Sequence, residues 1–138
     1  MSDPRDVSGV WYGRYAADQD DEHNSFIAVF EEAGGAFTGA ITEPDEEQGG
    51  IRRASARGRR NGALLRFTKQ YDGTGGWVHA VRYAGTVDAE GVVIAGTWLV
   101  EGLTGGFTME REKFDVEELE AEDDVEIVEP VAQFWRPR

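Results

Sequence analysis

Residues 51–71 read Ile-Arg-Arg-Ala-Ser-Ala-Arg-Gly-Arg-Arg-Asn-Gly-Ala-Leu-Leu-Arg-Phe-Thr-Lys-Gln-Tyr. At their centre stands Asn61-Gly62, a hairpin signal, because a type I′ turn needs positive φ at both central residues and these two types accept it. The flanks alternate. Leu65, Phe67, Lys69 and Tyr71 share one face of the second arm. In the first arm either Ala54, Ala56 and Gly58 face inward or Arg53, Ser55 and Arg57 do. Burying arginines without partners is costly, which favours the small residues. The stretch therefore predicts a β-hairpin, 51–60 paired with 63–71, with an apolar inner face.

The same pattern extends in both directions. Alternating segments at 8–15, 25–31 and 36–42 precede the hairpin; 77–87, 92–101 and 106–112 follow it. No segment before residue 113 shows a helical period. Eight consecutive strands with short links predict an all-β, antiparallel up-and-down meander that closes into a barrel and so removes both edges. A two-sheet sandwich is the alternative, but its Greek-key crossovers need longer connections than this chain supplies. Links after the first, third and fifth predicted strands (16–24, 43–50 and 72–76) are longer than those between. One end of the barrel is therefore pinched and the other carries the loops, as in a cup. The inward set reads Trp11, Gly13, Tyr15, Phe26, Ala28, Phe30, Phe37, Gly39, Ile41, the 65–71 face, His79, Val81, Tyr83, Gly85, Ile94, Gly96, Trp98, Phe107, Met109 and Arg111.

The 138 residues divide into a short leader (1–7), a barrel domain (8–112) and an acidic C-terminal extension (113–138). The formal net charge is −13, a surface that nucleic acid and anionic membranes repel. There is no cysteine, which excludes disulfides, thiolate metal sites and cysteine nucleophiles. No apolar run approaches the roughly 18 residues of a membrane helix, and the start is not a signal peptide, so a soluble cytoplasmic protein is expected. Arg52, Arg53, Arg57, Arg59, Arg60 and Arg66 fall within fifteen residues that contain no acid, whereas residues 113–138 hold nine acids and three bases.

Gly9-Val10-Trp11 on the first strand and Phe107-Thr-Met109-Glu-Arg111 on the last resemble the calycin superfamily of lipocalins, fatty-acid-binding proteins and avidins. The resemblance implies an Arg111 guanidinium packed over the Trp11 ring. Gly9-Val-Trp-Tyr12 together with Gly96-Thr-Trp-Leu-Val100 is most similar to the avidin branch. Gly13 stands where avidins carry a polar residue for the ureido group of biotin, and Glu43-Pro-Asp-Glu-Glu47 replaces their Ser/Thr-rich loop. The resemblance implies a small-ligand cup, not a biotin site.

At the loop end the inward set turns polar and aromatic: Tyr15, Lys69, Tyr71, Trp77, His79 and Trp98 are the candidate ligand-binding residues. An apolar wall with a few convergent polar groups is the composition of a small-molecule site. Lys69 and His79 suit an anionic or carbonyl group; Trp77 and Trp98 suit a flat ring. The alternative is a barrel filled by its own side chains. The expected function is binding of a hydrophobic or aromatic, optionally anionic, small molecule. An enzyme of isomerase, decarboxylase or cyclase type using Tyr71, His79 or Lys69 is an alternative, as is a protein-interaction module with a filled barrel. No nucleophile motif or dinucleotide fingerprint is present. The two histidines, His23 and His79, lack ligand spacing, so neither metal nor cofactor is expected. Asp18, Asp20, Asp21 and Glu22 read as a solvated loop rather than a calcium loop. Ile127, Val128, Val131, Phe134 and Trp135 are apolar enough to dock residues 123–135 on the barrel or on a neighbouring copy, with acids facing Arg57, Arg59 or Arg60.

Overall fold

The computed structural model describes residues 3–18, 23–45 and 48–112. The C-terminal extension expected to dock, and much of the acidic loop at Asp20, Asp21 and Glu22, lie outside the described residues.

Eight strands run in chain order: β1 Gly9–Ala17, β2 Asn24–Ala33, β3 Ala36–Pro44, β4 Ile51–Asn61, β5 Leu64–Tyr71, β6 Ala80–Val87, β7 Val93–Val100 and β8 Leu103–Glu110. Each pairs antiparallel with the next, and β1 also pairs with β8, so the sheet closes into a barrel. β1 manages both neighbours by offset pairing: Gly9–Tyr15 face β2, while Tyr12–Ala17 face β8. The up-and-down order follows from links too short to skip a strand.

The central hairpin differs from the expected turn. Asn61 pairs with Leu64, so the two loop residues are Gly62 and Ala63. Gly62 has φ of 64° and no non-glycine residue among those described has positive φ. Positive φ at the first central residue only is the type II′ pattern rather than I′. Arg60 then opposes Leu65 instead of Ala63. That two-residue shift keeps every side chain on its intended face.

The favoured β4 register is the observed one: Ala54 and Ala56 are buried and Arg53, Ser55 and Arg57 exposed. Small residues there leave room for the rings opposite. Phe67 is the hub of the interior. It stacks on Tyr83 at 4.6 Å and meets Phe30, Phe37 and Phe107 edge-on at 5.5, 5.9 and 6.3 Å. The middle of the barrel is thus filled by rings.

The leader seals the pinched end. Val7 is fully buried, and its carbonyl accepts the Trp11 indole N–H at 2.9 Å. Arg111 lies with its guanidinium carbon 4.2 Å from the Trp11 ring centroid, as the resemblance implies. The same guanidinium donates to the carbonyls of Gly91, Ser8 and Asp6 at 2.8, 2.6 and 2.5 Å, tying leader, β6–β7 link and β8 together. Beside it Arg60 bonds both Glu32 oxygens and Asp3. Arg111→Met is expected to destabilise the barrel by about 2–4 kcal/mol, from lost charged hydrogen bonds and the cation–π contact. Arg111→Lys should recover less than half, because one ammonium does not span three carbonyls. Urea unfolding of the three proteins checks this; a lysine variant as stable as the parent would contradict it.

Candidate functional site

The exits of β1, β3, β5 and β7 lie at the loop end, where the interior changes from rings to charge. Glu43 is the centre. It stands on β3 two residues beyond Ile41 and therefore points inward, where it is 1% exposed. Its Oε1 accepts hydrogen bonds from Tyr71 Oη at 2.8 Å, Tyr15 Oη at 3.0 Å and Arg52 Nε at 3.3 Å. Its Oε2 accepts one from Lys69 Nζ at 3.1 Å. Arg52, at the start of β4, shares the inward parity of Ala54 and also reaches Asp45 at 3.3 Å. Lys69 is 1% exposed, and its ammonium lies 4.5 Å from the Tyr15 ring centroid and 4.6 Å from that of Tyr71. Among the described residues no buried side-chain polar atom lacks a partner.

An aromatic rim covers this cluster. The Trp77 ring lies on the Arg52 guanidinium at 3.7 Å. Tyr71, Trp77 and His79 meet one another with centroids 4.9–5.3 Å apart. Gly75, with φ of 77°, lets the β5–β6 link descend onto Arg52: a Cβ there would stand 2.7 Å from Arg52 Cγ. Trp98 is buried below the rim, its indole donating to Ala16 O at 3.2 Å and its edge meeting Tyr15.

Of the six expected site residues, Lys69, Tyr71 and Trp98 are buried, and Tyr15 is half-buried beside them. Two placements are corrected. Trp77 and His79 precede β6 rather than beginning it, and both are exposed on the rim. The link before them is a 3-10 turn, Thr74–Gly76, with positive φ at Gly73, Gly75 and Gly76, and residues 77–79 follow it at the loop end before β6 begins. The backbone still pairs there, since Tyr71 N–H donates to His79 O and Gly73 N–H to Trp77 O. The sequence reading ends the third strand at Thr42 and places Glu43 in a loop; carrying the Phe37, Gly39, Ile41 alternation one step further finds it. Arg52 is missed for the complementary reason, that an arginine is read as outward until a partner is in view.

Burial, reinforced by the Glu43 charge, pushes the Tyr15 phenol up to about 12. Tyr71 and Tyr83 are raised as well, first by burial and then by the Tyr15 and Glu43 charges. Burial pulls Lys69 down, with Glu43 opposing and Arg52 assisting. The signs differ. A phenol raised in the folded state keeps its proton where the unfolded chain has lost it, so stability falls as pH rises from about 10 towards the folded value. A lysine lowered in the folded state contributes the reverse slope below its unfolded value near 10.4. Above that value the lysine adds no slope, so the tyrosines set the pH dependence. For Tyr15 alone the loss between about pH 10 and 12 is roughly 2–3 kcal/mol. Melting temperatures should drop steeply above pH 10, with phenolate absorbance near 295 nm growing together with unfolding. A flat profile to pH 12 would contradict the buried phenol cluster.

No protein-family model matches the chain, and no curated protein matches it. The chain is similar in fold to redesigned β barrels. One superposes with a TM-score of 0.66 at 10% identity, covering 80% of this chain and 96% of its own. A second, mFAP1, bound to DFHBI, superposes with a TM-score of 0.64 at 10% identity, covering 80% and 100%. At that identity the likeness concerns the eight-stranded closed barrel.

Proposed function

We propose that the barrel binds a small aromatic anion at its loop end. One observation carries the reading: donors from three strands, Tyr15, Arg52, Lys69 and Tyr71, converge on a single carboxylate beneath an aromatic rim. The geometry is that of a carboxylate receptor in which Glu43 occupies the anion position. A ligand ring would lie against Trp77, His79 and Tyr71, and its anionic group would compete with Glu43 for the buried donors, Trp98 forming the wall below. The small-molecule complex of mFAP1 supports the capacity of such a barrel to hold a ligand. The Trp11–Arg111 closure supports a calycin-like cup. Among the described residues no carboxylate pairs with His79, so the site favours binding over general base chemistry.

The test is titration with aromatic carboxylates such as benzoate and indole-3-acetate, followed by tryptophan fluorescence and melting temperature. Saturable binding is expected, tighter in Glu43→Ala than in the parent and weakened at least tenfold by Trp77→Ala. No response of either parent or Glu43→Ala at millimolar ligand would overturn the reading. A second reading, a protein-interaction module, is favoured by the outer wall of β1 and β2. There Val10 opposes Val29 and Tyr12 opposes Ile27, and all four are 44–61% exposed. Self-association in light scattering that Tyr12→Asp abolishes, with no ligand response, would favour it.

A further inference from the structure

The outer face of β4, β5 and β6 carries arginine without acid. Outward residues are Arg53, Ser55, Arg57 and Arg59 on β4; Leu64, Arg66, Thr68 and Gln70 on β5; and Ala80, Arg82, Ala84 and Thr86 on β6. Register makes this a patch. Arg59 opposes Arg66, while Thr68 lies between Arg57 on one side and Arg82 on the other. Arg57, Arg59, Arg66 and Arg82 line a shallow groove of about 420 Å³ that ends at exposed Leu99. Among the described residues these four form no salt bridge, whereas Arg52 and Arg60 are each held by acids.

Four guanidinium groups crowded on one wall repel one another, in a chain whose overall charge is −13. An excess of acid lies in residues 113–138, which hold nine acids and three bases and continue directly from Glu112. We infer that this face is the docking surface for the chain's own acidic C-terminal segment, with acids at 115–129 set against Arg57, Arg59, Arg66 and Arg82. The reach is adequate. β8 and β5 are separated by β7 and β6, strands lie about 4.8 Å apart, and each extended residue advances about 3.3 Å. Leu64 and Leu99 border the arginines and offer apolar ground to Ile127, Val128, Phe134 or Trp135. The surface excludes Arg60, which the leader and Glu32 already occupy, and adds Arg66 and Arg82.

The test uses the full chain carrying R66K and R82K, which keep the charge and supply amines for zero-length carbodiimide coupling. Equal amounts of unlabelled and nitrogen-15 protein are mixed before coupling, so that bonds within one chain are separated by mass from bonds between chains. The expected result is an isopeptide bond from position 66 or 82 to an acid at 115–129, within one chain. Its yield should fall several-fold as salt rises to about 1 M, where the screening length shrinks to about 3 Å. A control carrying R14K, on the outer wall of β1, should give at least fivefold less of that product. Mixed-isotope products alone would mean that a second copy is the occupant and would overturn the inference. So would the absence of coupling at 66 and 82, or equal coupling from position 14.

Discussion

Glu43→Gln should destabilise the barrel by about 3–5 kcal/mol, the range for removing one partner of a buried ion pair. The amide keeps the shape but removes the charge that Lys69 and Arg52 share. It also turns an NH₂ toward groups that themselves donate, so at least one of the four bonds to the carboxylate is lost. Arg52 retains Asp45. Lys69 is left almost alone among rings, and its way out is to release its proton. That exit sets a ceiling, since deprotonating a lysine at pH 7 costs about 5 kcal/mol at most. Adding Lys69→Met removes the stranded cation and should return a large share of the loss, because a buried pair replaced as a pair is often near neutral. Thermal unfolding of parent, single and double variants provides the cycle. A single variant within 1 kcal/mol of the parent would mean that Glu43 is solvated and that no carboxylate receptor exists at the loop end.

Gly105→Ala and Gly106→Ala should have opposite outcomes although the residues are neighbours. Gly105 faces inward where β8 crosses β1, and a Cβ there would land on the Ala16 carbonyl oxygen and 2.8 Å from Ala17 Cα. Both obstacles are backbone and cannot rotate aside. The strand must move, at about 3 kcal/mol or more, the upper end of overpacking penalties. For a domain of this size that is a fall of roughly 10–20 °C in melting temperature. Gly106 faces out, and its Cβ would come no nearer than 3.7 Å to Gly96 O. Its φ is ordinary, so alanine restricts the unfolded chain without straining the folded one and should stabilise by about 0.4–1 kcal/mol. Equal effects in the two variants would show that β8 does not approach β1 so closely.

Much of this was legible in residue order. Strand alternation is a local property, and the eight strands and their inward rings follow from it; link lengths give the pinched and looped ends, and the Trp11–Arg111 closure is implied by the calycin resemblance rather than by alternation. The II′ turn at Gly62-Ala63 departs from the expected Asn61-Gly62 turn by one step, because Gly62 alone absorbs the positive φ and leaves Asn61 free to pair with Leu64. Periodicity is indifferent to a two-residue shift, so it could not choose between the turns.

What only the tertiary structure decided is which charges are internal. Arg52 and Arg53 are adjacent and chemically identical, yet one is buried against Glu43 and Asp45 and the other is exposed. Glu43 and Lys69 lie far apart in the chain, and each alone is a poor candidate for burial. Their positions become favourable only together, once β3, β4 and β5 are side by side. A charge's energy depends on partners brought by folding, whereas an apolar side chain is driven inward by water alone. The rim is a second case: Trp77 and His79 precede β6 at the loop end and are exposed there, although the backbone at His79 still pairs with Tyr71. Hydrophobic alternation thus determined the barrel from the sequence, and long-range electrostatic pairing determined what stands at its opening.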